Sequence, residues 1–120
     1  MKQKKVQFIK TGHASRIQDP IGTAMIGRTP HAFYFAEGIP ETFKDLSGSE
    51  INVYLEYCRP FWRATESTTG LDITACKANR KEDLLNVLSQ MNIKIQLDRE
   101  YHKTLAAEIK QLKTILEGQS

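Results

Sequence analysis

Residues 51–66 read INVYLEYCRPFWRATE, and the fold turns on whether their first half is strand or helix. Ile51, Val53, Leu55 and Tyr57 alternate as a half-buried strand requires. Ile51, Tyr54, Leu55, Cys58, Phe61 and Trp62 also share one helical face, and Ser47 with Glu50 three residues on has the form of a capping box. Pro60 would interrupt that helix, however, and the stretch is rich in β-branched and aromatic residues. Thr65, Thr68 and Thr69 are also poor helix formers. The strand reading follows.

Working outward, 61–66 and 71–76 form a natural hairpin around Ser67, Thr68, Thr69 and Gly70, with Leu71, Ile73 and Ala75 alternating against Asp72, Thr74 and Cys76. Upstream, 5–10 (KVQFIK) reads as a strand and 11–20 as a turn-rich loop. Two short strands, 21–28 and 31–37, meet at Thr29-Pro30. Gly38, Pro40 and the segment around Ser47-Gly48 make the next loop.

Downstream, Asn79 and Glu82 form an N-cap pair for a helix over about 80–91, with Leu84, Val87, Leu88 and Met91 on one face and Asn92 as its stop. Ile93, Ile95 and Leu97 alternate as a strand-like link. Asp98 caps a second helix over about 99–117, with Tyr101, Leu105, Ile109, Leu112 and Leu116 in one stripe and Gly118 at its end. The predicted fold is α+β: an antiparallel β-meander sheet of about five strands followed by two C-terminal α-helices. It is one domain over 1–120, with strands and loops in 1–78 and the helices in 79–120.

Composition agrees with that scale. A chain of 120 residues holds one core, and with 40% apolar and 26% charged residues it is not a disordered sequence. No run approaches the 18 apolar residues of a membrane-spanning helix. The N-terminal MKQKKVQFIK has no apolar stretch and no small-residue cleavage site, so it does not read as a secretory signal. Two cysteines make no disulfide framework, and a reduced, cytoplasmic setting is expected.

Charge is unevenly spread around the net +3. Residues 1–36 carry six bases against Asp19, 37–58 carry five acids against Lys44, and 59–81 carry five bases against Glu66 and Asp72. Such blocks can place a phosphate-attracting patch on one face.

Motifs for catalysis are weak. Gly22 to Thr29 (GTAMIGRT) has the P-loop spacing with Arg28 in the lysine position, but Pro30 and the strand-like HAFYFAE follow where a helix must begin. The glycines instead suit a bend or bulge, and Arg28 remains an isolated phosphate-binding charge. His13, His31 and His102 are scattered, and Cys58 and Cys76 lack a second cysteine pair, so no metal site or cofactor is expected. Both cysteines sit in apolar strand-like runs, where thiols are usually buried and inert. Glu37 with Glu41 has no marker beyond charge. No catalytic residue is assigned and no enzyme activity is expected.

The strongest binding signal is Arg59-Pro60-Phe61-Trp62-Arg63, with the only Trp, a Phe and two Arg in five residues. Rings stack on bases and guanidinium groups pair with phosphates. On a strand, Trp62 points with Ala64 and Glu66, while Phe61, Arg63 and Thr65 share the other face. Phe61 and Arg63 then form a small platform, with Arg28 and Arg80 as supporting charges. The alternative has Trp62 anchoring the core and the arginines capping its rim.

Leu105, Ile109, Leu112 and Leu116 step like a coiled-coil seam of about two heptads, either a homodimer interface or a sheet-facing stripe. The leading expectation is a non-enzymatic binding protein, dimeric, taking single-stranded nucleic acid or a nucleotide on the Arg/aromatic surface. One rival is a protein–protein inhibitor or adaptor of viral or mobile-element type, and membrane contact is not expected. A second rival is a helix-turn-helix regulator, with Leu71–Ala78 and Arg80–Met91 as its helices.

Overall fold

A computed structural model describes residues 4–118, leaving aside the side chains of Glu100 and Tyr101. Five strands come first: β1 Val6–His13, β2 Gly22–Ile26, β3 Thr29–Lys44, β4 Glu50–Cys58 and β5 Phe61–Glu66. A 3₁₀ turn, Ala14–Arg16, lies between β1 and β2, and helices α1 Lys81–Leu88, α2 Ile93–Leu97 and α3 Glu100–Gly118 complete the chain. The fold is α+β, an antiparallel five-stranded sheet followed by C-terminal helices.

The strand order is β1-β3-β4-β5, with β2 also paired to β3. His31, Ala32 and Phe33 have partners in both β1 and β2, so those two strands flank the N-terminal half of β3 on opposite sides. The path from β1 to β2 therefore crosses β3 and is not a meander hairpin. From β3 to β5 the chain does meander, each strand pairing with the next.

The expected loop at Gly38 and Pro40 lies inside β3, which runs unbroken for 16 residues. At Gly38 the strand exchanges partners: Val6 of β1 pairs with Gly38, and Leu55 of β4 pairs with Ile39. Among the described residues no strand pairs with the β1 side of β3 beyond Gly38, so Pro40 is tolerated on an edge, as proline must be. Phe8 and Tyr54, reaching over Gly38 from the flanking strands, stack with centroids 4.5 Å apart and planes 5° apart. A methyl group on Gly38 would lie 2.7 Å from Leu55 O and 2.9 Å from Phe8 Cε1.

The two faces of the sheet differ. One buries Ile9, Phe33, Ile51, Val53, Leu55 and Ala64 beneath the helices. The cluster on β4 and β5 takes Leu84 and Leu88 of α1 and Ile93 of α2, and the cluster on β1 and β3 takes Leu105 and Ile109 of α3. Leu112 and Leu116 are half-buried against the second cluster. Of the two readings of the seam, the stripe of Leu105, Ile109, Leu112 and Leu116 takes the sheet-facing one and packs on the chain's own sheet. The other face carries Phe8, Lys10, Tyr34, Tyr54, Glu56, Phe61 and Arg63. Thr11 N–H, on β1, donates to Gly70 O at 2.8 Å, so the turn after β5 returns to the far edge of the sheet.

Three local expectations fail for one kind of reason, a side chain competing with the regular backbone pattern. Residues 71–78 form neither a helix nor a continuous strand and touch β5 through isolated bridges, Thr65 to Asp72 and Trp62 to Ala78. Asp72 Oδ1 accepts Thr74 N–H at 2.8 Å and Thr74 Oγ1 accepts Ala64 N–H at 2.9 Å, replacing ladder bonds between them. Residues 93–97 are helical, not a strand-like link, with Ile93 buried, Leu97 half-buried and Ile95 facing out. Asp45 Oδ2 accepts Lys94 N–H at 2.9 Å and anchors the first turn of that helix. Asn79 does not cap α1: the N-cap is Arg80, without a side-chain bond, while Asn79 Nδ2 donates to Pro60 O at 3.2 Å. Helix α1 ends at Leu88, three residues short of the expected end, and Asp98 closes α2 and pairs with Lys94 Nζ at 3.1 Å.

Two predictions follow from these contacts. Gly38→Ala should cost about 1–3 kcal/mol in chemical denaturation, because the obstacle is a main-chain carbonyl that cannot rotate away. The Asp45 carboxyl is lowered to about 2 by the Lys94 amide first, then by the Ser47 hydroxyl and the Ser49 and Ser47 amides, against the opposing effect of burial. A depressed carboxylate stabilises the fold above its unfolded value and loses that contribution as it protonates. Asp45→Asn should therefore lower the melting temperature at pH 7, with the gap to wild type closing between pH 4 and pH 2.

Candidate nucleic-acid or nucleotide interface

The β4–β5 hairpin closes through Arg59 and Pro60, joined by a cis peptide bond. Its register puts Tyr57 opposite Trp62, Cys58 opposite Phe61 and Glu56 opposite Arg63. Trp62 points to the helix-covered side, is half-buried against the β4–β5 cluster, and meets Tyr57 at 5.3 Å with planes 50° apart. Its backbone N–H donates to Ala78 O at 2.9 Å, which holds residues 78–80 beside 60–62. Trp62 is thus a core anchor with one edge at the surface, while Tyr57 is 53% exposed.

Phe61 and Arg63 do share the opposite face, yet the platform is already engaged. Lys77 Nζ lies 5.8 Å from the Phe61 centroid, within cation–π range. Arg63 forms an ion pair with Asp72, its Nε donating to Oδ2 at 3.0 Å. That bond and charge raise the guanidinium's pKa further. Burial would raise the Asp72 carboxyl, but bonds from the Thr74 hydroxyl and amide and from Arg63 outweigh it and bring it below its ordinary value.

The row continues across the sheet, where Glu56 binds Lys10 Nζ at 2.8 Å. Burial alone would lower the Lys10 pKa, but the Glu56 hydrogen bond and charge outweigh it, and the value rises. Lys10, Glu56, Arg63 and Asp72 thus alternate in sign over the face opposite the two buried clusters.

Arg80 joins the hairpin tip through the 78–80 segment, 73% exposed and 3.4 Å from Asp83. Arg59 is exposed in the turn itself. Arg28 is not part of this group: it lies in the β2–β3 turn, at the opposite end of β3 from the stretch that pairs with β4. The structure therefore brings together Arg59, Phe61, Trp62, Arg63 and Arg80 and leaves Arg28 apart. It adds Tyr57 and Lys77. Tyr57 was legible, since a two-residue turn at 59–60 sets 57 opposite 62, whereas Lys77 approaches Phe61 only through the irregular path of 71–78.

Cys76 is half-buried beside the core, but Cys58 is exposed at the hairpin tip, which corrects the buried-thiol expectation. Among the described residues no group of three His, Cys, Asp or Glu is placed to hold a metal ion. Among the described residues no helix is long and apolar enough to cross a membrane. Residues 71–78 are not helical, so the first helix of a helix-turn-helix does not form. Comparison with protein families, with characterised proteins and with solved structures finds no match.

The anchor role of Trp62 has a measurable consequence. Trp62→Ala should destabilise the protein by about 2–3 kcal/mol in denaturant titrations, below the 3–5 kcal/mol of a fully buried aromatic because one edge is solvated.

Proposed function

We propose that the protein is a non-enzymatic binding protein whose β4–β5 hairpin tip takes a phosphate-bearing ligand with a base to stack, a single-stranded nucleic acid or a nucleotide. One observation carries this reading: Arg59, Arg63, Lys77 and Arg80 gather around Tyr57, Phe61 and the edge of Trp62, while two of those cations face carboxylates. Guanidinium groups fork onto phosphate oxygens, and an exposed ring offers any base a stacking face. Arg59 has no carboxylate partner among the described residues and is the first contact for phosphate. Arg63 and Arg80 exchange Asp72 and Asp83 for the ligand. Exposed ion pairs of this kind are worth only about 0–1 kcal/mol, so the exchange is inexpensive.

A protein-inhibitor or adaptor role is the second reading. It is favoured by the exposed Tyr57 beside Trp62 and Arg59, since Tyr, Trp and Arg dominate the energetic centres of protein interfaces. Salt dependence separates the two readings, because phosphate contacts release counterions and apolar interfaces do not.

Fluorescence anisotropy with a short labelled DNA strand, its RNA counterpart and a nucleotide panel tests the proposal. Arg59→Glu should weaken binding by about tenfold or more with an unchanged melting temperature, since the side chain is exposed. For single-stranded DNA or RNA, three phosphate contacts give a slope of log affinity against log salt near about −2. Absence of binding to every probe in low salt, with folded protein, would leave the protein-partner reading in its place.

A further inference from the structure

We infer that the outer edge of β2 is the surface through which two copies of this chain pair, strand against antiparallel strand. One edge of β2 is hydrogen-bonded to β3, and among the described residues no strand pairs with the other. The outer edges of β1 and β5 are partly occupied by the chain itself, and the open stretch of β3 beyond Gly38 carries Pro40. Gly70 O receives Thr11 N–H on β1, while residues 71–78 line β5 through Ile73 N–H to Ala64 O and Trp62 N–H to Ala78 O.

Monomeric proteins protect an open edge with a lysine, a proline, a bulge or an inward charge. The five residues of β2, GTAMI, contain no charge and no proline, and their register with β3 runs without a bulge. Met25, at the centre of the strand's uncovered side, is 63% exposed. This edge has the character of one that is covered in use.

The strand's ends identify the occupant. Asp19 precedes β2 and Arg28 follows it, both exposed, and among the described residues neither forms an ion pair. A two-fold axis at Ala24 sets Thr23 opposite the partner's Met25 and Gly22 opposite the partner's Ile26. Antiparallel pairing also brings the Asp19 end of each strand to the partner's Arg28 end, and symmetry repeats the approach at the other end. Parallel pairing would instead put like charges together. A neutral strand with opposite charges at its two ends is complementary to itself in the antiparallel sense, and that selects a second copy over an arbitrary extended peptide.

The helix side is also compatible. A methyl group on Gly22 would lie 3.0 Å from Leu112 Cδ2, so α3 lies directly over this strand and the partner's Ile26 arrives beside apolar side chain. The resulting contact is isologous and closes at two subunits.

Sedimentation equilibrium and concentration-dependent amide exchange on the full chain test the inference. Wild-type protein should have twice the 13.7 kDa chain mass, and the amides of residues 22–26 should slow as dimer forms. Arg28→Asp should weaken self-association by about tenfold, the equivalent of about 1.4 kcal/mol. Adding Asp19→Arg to that variant should restore it. Met25→Lys should give a monomer with an unchanged circular dichroism spectrum. A wild-type monomer at every soluble concentration, an open series of oligomers, or a dimer indifferent to both Met25→Lys and Arg28→Asp would overturn the inference.

Discussion

A 16-residue strand whose two halves need different partners has to change neighbours somewhere, and in this protein it does so at Gly38. The position tolerates no side chain, because Leu55 O and the Phe8 ring occupy the place of a Cβ. The stack of Phe8 on Tyr54 fills the gap in the central strand with aromatic surface from both neighbours, and joins β1 to β4 where no ladder can. Lys10 then reaches Glu56, and the turn after β5 reaches Thr11. Each contact links segments distant in sequence and depends on β3 holding its course through Gly38 and Pro40.

The sequence made the strands beyond that point legible. Ile51, Val53, Leu55 and Tyr57 alternate, and Pro60 forbids the helix that would otherwise compete. The apolar stripes of α1 and α3 were readable at helical period, although the periodicity of α3 could not say whether it covers a sheet or another helix. The short elements were not readable, because what decides them is remote. Residues 93–97 alternate like a strand, yet Asp45, 49 positions earlier, supplies the acceptor that holds Lys94 in a helical turn. The Gly38–Pro40 stretch looked like a loop because a local rule treats Gly and Pro as breaks. The tertiary arrangement gives the proline an edge and fills the glycine's space with rings.

The candidate site shows the same division. Residues close in sequence, Arg59 to Arg63, stayed together, and the alternation of strand side chains assigned Trp62 and Arg63 to the correct faces. Arg28, grouped with them on charge alone, lies in the β2–β3 turn at the other end of β3. The charges' partners were invisible to composition: Arg63 with Asp72 depends on an irregular segment, and Arg80 with Asp83 on where α1 begins. A count of basic residues therefore overstates the positive field at the hairpin, because two of the four cations face carboxylates.

The two proposed surfaces lie on different parts of the sheet, and this bears on how they would act together. β2 pairs with residues 29–33 of β3 and β4 with residues 39–44, so the β2 strand and the β4–β5 hairpin occupy different stretches of β3. A two-fold dimer would present two hairpin tips on one rigid body, each with few free cations and one exposed ring. A polymeric ligand that reaches both tips would bind the second as an intramolecular step, at an effective concentration that can add about 10²- to 10⁴-fold in avidity without a new contact. A mononucleotide could occupy only one tip and would gain nothing from dimerisation. On physical grounds, then, a weakly charged tip and a paired β2 edge favour a single strand over a free nucleotide as the ligand of the assembled protein.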